Sequence, residues 1–127
     1  MYTKTFKYTD YDGEEREEEF RFSLDKAEIM MLQVHFPEGL EKHLKNLQAA
    51  KDAEGILQFM IKIILESCGR KSTDGRRFIK DGGNVGVEFS ETPAFSEMLI
   101  EFLDPDDNGK KFNDFMYQIV PHGTAKI

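Results

Sequence analysis

Asp104-Pro105-Asp106-Asp107-Asn108-Gly109 has the residue types and spacing that open a calcium loop of the EF-hand kind, with oxygen ligands at positions one, three and five and glycine at six. Its chemistry would be an ion-dependent change in the flanking helices. The rest of the pattern fails. Position twelve, which must supply a bidentate carboxylate, is Phe115; position eight is Lys111, and Lys110 adds a second positive charge. Losing the bidentate residue removes two of about seven oxygens. An acidic turn that caps the following helix and favours its dipole accounts for the same residues.

Other reactive groups are isolated. Gly69-Arg70-Lys71-Ser72 echoes the end of a phosphate-binding loop, but the upstream glycine is missing and the preceding residues read as helix rather than strand. Ser67 and Cys68 have no placed base, so nucleophilic catalysis has no visible machinery. Cys68, the sole cysteine, reads as a small buried thiol, and no disulfide can form within the chain. His35, His43 and His122 lack metal-site spacing, and nothing selects a catalytic pair among the 24 Asp and Glu. No cofactor, metal or enzymatic activity is expected.

Charge is the more informative chemistry. The net charge is -7, yet residues 70–80 hold Arg70, Lys71, Arg76, Arg77 and Lys80 against Asp74 alone, a local balance of +4. Residues 10–19 hold seven acids against Arg16, a balance of -6. The basic stretch reads equally as a solvated loop or as a partner surface. Complementary patches permit head-to-tail attraction between copies, weakened by salt, and such contacts make rings or filaments. An acidic chain argues against wholesale nucleic-acid binding, which needs a positive footprint. A nucleic-acid-binding regulator using the 70–80 loop and a small calcium-responsive module remain the alternatives.

The elements that must hold these residues form an α+β fold, mainly α: an N-terminal β-hairpin followed by a bundle of about five helices. At 127 residues this is one domain, able to bury roughly two-thirds of its unfolded surface. Residues 2–22 read as the hairpin, with aromatics at the even positions Tyr2, Phe6, Tyr8, Phe20 and Phe22. A two-residue Asp12-Gly13 turn would set that face against the glutamates. A three-residue loop, Tyr11-Asp12-Gly13 with Gly13 left-handed, restores parity and pairs Tyr8 with Arg16, Lys7 with Glu17 and Lys4 with Phe20.

Residues 25–120 make the helical body. Asp25 and Glu28 form a capping box for a helix ending at Pro37 and Gly39, and a second runs from about Leu40 to Ala50. The third, Ala53 to Cys68, is capped by Asp52, stopped by Gly69 and apolar except for a stripe of Glu54, Gln58, Lys62 and Glu66. A helix so apolar must be surrounded, at the centre of the domain or partly at a subunit contact. Asp81 to Gly86 reads as flexible, and Val87 and Phe89 as a short extended piece. Thr92-Pro93 opens the fourth helix; the fifth, about Asn108 to Val120, buries Phe112, Phe115, Met116 and Ile119. Residues 121–127 are expected to fray. The start lacks an apolar signal core and no run approaches the ~20 residues of a membrane span, so a soluble protein of a reducing compartment is expected.

Five stretches carry a family resemblance: Tyr8 to Gly13, Phe20 to Glu28, Ser72 to Lys80, Glu88 to Phe95 and Phe115 to Pro121. With them the chain resembles the tail assembly chaperones of long-tailed phages and Gram-positive prophages over nearly its whole length. The resemblance implies a non-catalytic role in the host bacterial cytoplasm: coating the tape-measure protein, helping recruit tail tube protein, and self-associating. It carries no active residues. From the residues themselves, the expected partner surface joins Arg70, Lys71, Arg76, Arg77, Phe78 and Lys80 to the apolar Phe59, Phe112 and Met116.

Overall fold

The computed structural model describes residues 1–121. The expected fraying beyond Pro121 falls on residues 122–127, outside the described residues. Strands β1 (Tyr2–Thr9) and β2 (Glu15–Phe22) form the expected hairpin, pairing Tyr8 with Arg16, Lys7 with Glu17 and Lys4 with Phe20. Gly13 takes φ 82°, the left-handed geometry that the three-residue loop requires. Asp10 fastens the turn: its carboxylate accepts from the amides of Asp12 and Glu14, both at 2.9 Å, and pairs with Arg16 at 2.6 Å.

Parity then sorts the side chains. Phe6 and Phe22 face inward and are buried, whereas Thr3, Thr5, Lys7, Glu15, Glu17 and Glu19 face solvent. The interior holds a lattice of rings. Phe22 lies 5.4 Å from Phe89 and 5.5 Å from Phe115, both edge-on, the arrangement that ring quadrupoles favour.

Six helices complete the fold among the described residues: α1 (Lys26–His35), α2 (Leu40–Ala49), α3 (Ala53–Ser67), α4 (Asn84–Ser90), α5 (Pro93–Phe102) and α6 (Lys110–Ile119). The capping box at α1 and the Asp52 cap of α3 form as expected. Helix α3 is central: Phe59, Met60, Ile63 and Ile64 are buried, while Leu57, Ile61 and Leu65 stay half-buried along its other side.

The structure departs from expectation in three places. Helix α3 ends at Ser67, whose hydroxyl donates to the carbonyls of Ile63 and Ile64. Cys68 is already strand. The 70–80 segment is a second hairpin, β3 (Cys68–Lys71) and β4 (Phe78–Ile79), which extends the sheet in the order β1-β2-β3-β4. Val87 and Phe89 are helical. Gly82 and Gly83 turn the chain at φ 62° and 94°, and Val85, Gly86 and Phe89 then bury one face of α4.

Candidate functional site

The basic residues are displayed by a built turn. The Ser72 amide donates to the Arg77 carbonyl at 2.9 Å, and the Ser72 hydroxyl donates to Asp74 at 2.7 Å while accepting from the Arg77 amide at 3.0 Å. Asp74 also accepts from the Arg76 amide at 3.1 Å. The Ser72 hydroxyl, with help from that amide, holds the Asp74 carboxyl below its ordinary range. Gly75 makes the reversal at φ 76°. Arg70, Lys71, Arg76 and Arg77 are all exposed and enter no ion pair among the described residues.

The other residues expected at this surface have different duties. Lys80 is turned inward, binding the Glu28 carboxylate and the Glu66 carbonyl. Phe78 lies across Gly69: a Cβ on that glycine would stand 2.6 Å from the ring. Phe59, Phe112 and Met116 are core residues, only 3%, 1% and 4% exposed. Phe112 sits between Phe102 and Phe59, at centroid distances of 5.4 and 6.3 Å. The stripe that made α6 look like a partner surface faces α3 and α5 instead.

The apolar groups that do reach solvent were missed. Met30, Met31 and Val34 of α1 are 68%, 69% and 78% exposed, and Ile100, Leu103 and Tyr117 are also outside. The signal was present: Ile29-Met30-Met31-Leu32 is too apolar to turn every side chain inward on an end helix.

Among the described residues, no His, Cys, Asp or Glu side chains gather in threes. Burial pushes the Cys68 thiol up to about 12, with Lys80 offsetting part of the effect, so it is an inert thiol. His43 pairs with Glu38 at 2.6 Å and packs against Phe36. In the acidic turn, Asp104 accepts from the Asp106 amide and Asp107 from the Lys111 amide at 2.7 Å, which satisfies a donor in the first turn of α6. Among the described residues, no three His, Cys, Asp or Glu side chains assemble as a ligand set, and no helix is long and apolar enough to cross a membrane.

Between β2 and the second hairpin lies a groove of about 490 Å³, with Glu18 to Arg21 on one wall and Arg70 and Lys71 on the other. Buried Val85 and Phe89 of α4 line it as well. The acidic and basic segments are thus neighbours in one sheet, because β3 pairs with the end of β2.

These features define an α+β domain, mainly helical, whose charged hairpins project from an aromatic core. The sequence model of a phage tail assembly chaperone family matches residues 1–126, and the chain belongs to that family. No curated protein and no solved structure matches it.

Proposed function

We propose that this chain binds the tape-measure protein during phage tail assembly, keeps it soluble in the host cytoplasm and helps recruit tail tube subunits, without catalysis. Family membership supports the assembly role. The observation that carries the contact surface is the ordered second hairpin, which presents Arg70 and Lys71 of β3 and Arg76 and Arg77 of its tip to solvent, none of them ion-paired among the described residues. Holding the backbone of a charged loop in advance lowers the ordering cost of binding. The exposed methionines of α1 supply an adaptable apolar area of the kind that accepts helical clients. Self-association belongs to the same reading.

The test is co-expression with the tape-measure protein and measurement of its soluble fraction. Arg76→Glu with Arg77→Glu should lower that fraction and weaken self-association while leaving the circular dichroism unchanged. The binding should also weaken as salt rises. A double variant that solubilises the tape-measure protein as well as the parent does would overturn the assignment of the surface.

A further inference from the structure

The open edge of β2 has the hydrogen-bonding geometry of a strand waiting for a neighbour. The Asp10 amide donates to the Glu14 carbonyl at 2.8 Å, and Thr9 stands opposite Glu15. In an antiparallel ladder this phase makes the even residues of β2 exchange bonds with β1. The odd residues therefore point the other way. That side is confirmed by the Ser23 amide, which donates to the Ser67 carbonyl at 2.8 Å, and by the pairing of Arg21 with Gly69. There the register stops. β3 pairs on its other edge with β4, Arg70 opposite Ile79, and among the described residues no strand pairs with Glu19 or Glu17 on this side. Glu19 lines the groove described above, and Glu17 lies just past its end.

We propose that this edge, from Glu15 to Glu19, takes an extended segment of a partner protein as an added strand, with apolar residues alternating with lysine or arginine. Five residues give an edge of roughly 17 Å, and each open rung offers one donor and one acceptor. The alternation follows from the two faces. On the outer face the added strand meets the exposed carboxylates of Glu17 and of Glu19, the latter shared with Arg21 at 2.7 Å; on the other side they stand opposite Lys7 and Thr5. Opposite charges in such cross-strand positions are stabilising. On the inner face it meets Glu18 and, where the edge ends, Phe20 with the buried Val85 and Phe89 beside it. Among the described residues the outer edge of β1 pairs with no strand either, but it ends the sheet and carries the exposed Lys7, a residue type that discourages pairing along an edge. The inference goes beyond the tape-measure reading, since it specifies a backbone contact and does not use the basic tip.

The test uses the full chain labelled with nitrogen-15 and a short acetylated peptide in which valine alternates with lysine. In the free protein the amides of Glu17 and Glu19 should exchange quickly and those of Glu18 and Phe20 slowly. The peptide should slow exchange at Glu17 and Glu19; a peptide of the same composition in blocks should not. Glu17→Pro removes a donor that has no partner among the described residues, so the hairpin should fold and peptide affinity should fall roughly tenfold or more. Glu18→Pro should break the β1 ladder. Undiminished affinity in Glu17→Pro overturns the proposal, as does protection appearing at Thr5 and Lys7 instead. If Glu17→Pro does not fold, wild-type exchange still decides, because slow exchange at Glu17 and Glu19 without peptide means a closed edge. Protection that grows with protein concentration alone assigns the edge to a second copy and overturns the proposal too. The Arg76→Glu and Arg77→Glu double variant should leave the exchange at Glu17 unchanged, so failure at the tip and failure at the edge are separable.

Discussion

Lys80 donates to the Glu28 carboxylate at 2.6 Å and to the Glu66 carbonyl at 2.7 Å, so one ammonium ties the end of β4 to α1 and to the last turn of α3. Glu28 has two duties, because its other oxygen accepts from the Asp25 amide at 3.0 Å in the capping box. Lys80→Met should cost about 1–2 kcal/mol through the lost charged hydrogen bonds. Glu28→Ala should cost more, since it removes the pair and the cap together. Urea denaturation orders the two. Equal losses would mean that the box contributes nothing.

Gly86 of α4 packs against the backbone of Leu65, where an added Cβ would collide with the carbonyl oxygen. Gly86→Ala must therefore push two helices apart, at about 2–3 kcal/mol. Gly75 is the control: at φ 76° with nothing within 4 Å, its replacement by alanine strains only the backbone, at about 1–2 kcal/mol. Thermal melts of the two variants should differ in that order.

Tyr8 donates its phenolic proton to the Glu18 carboxylate, and that hydrogen bond, more than burial, pushes the phenol up to about 12. The folded state thus favours the protonated phenol. Its contribution to stability is fully present below the ordinary tyrosine value of 10.0 and is lost as pH rises from there toward about 12. Ultraviolet titration should show one tyrosine ionising last, and Tyr8→Phe should remove that step.

Acid acts in the opposite direction. The Asp10 carboxyl is held below its ordinary value of 3.8, first by Arg16 and then by the Glu14 amide. Stability from a depressed carboxyl is present above the unfolded value and is lost as pH falls through the folded one. Asp10→Asn should weaken the β1–β2 turn at neutral pH and flatten the loss of hairpin structure below about pH 4. Amide exchange at Glu14 reads it, and an unchanged acid profile would remove Asp10 from the account.

The register of the first hairpin could be read from sequence because one aromatic face leaves a single loop length that keeps parity. The capping box of α1 and the stripe of α6 were visible for similarly local reasons. The second hairpin was not, because Cys68-Gly69-Arg70-Lys71 has neither alternation nor branched residues; it becomes strand because the end of β2 lies beside it and Phe78 covers Gly69. Helix α4 was hidden by its glycines, one of which is needed for the approach to Leu65. The candidate surface divides on the same line. Long charged side chains on a surface hairpin reach solvent from its strands as from its turn, so the exposure of Arg70, Lys71, Arg76 and Arg77 was readable, whereas an apolar stripe looks the same whether a partner or the chain's own helix covers it. That is why Phe59, Phe112 and Met116 pointed inward and the methionines of α1 outward.

Calcium should leave the melting temperature unchanged. The carboxylates that would open an ion site already serve backbone amides, Asp104 that of Asp106 and Asp107 that of Lys111. Phe115, where the bidentate ligand would stand, is fully buried against Phe22 and Phe102. Supplying the missing ligand by Phe115→Glu would put a carboxylate into the aromatic core and should unfold the chain rather than create a site. The better probe is Asp107→Asn, which weakens a charged acceptor at the start of α6. It should lower stability by about 1 kcal/mol, equally with calcium and with chelator. A calcium-dependent difference between that variant and the parent would show that the acidic turn binds the ion after all.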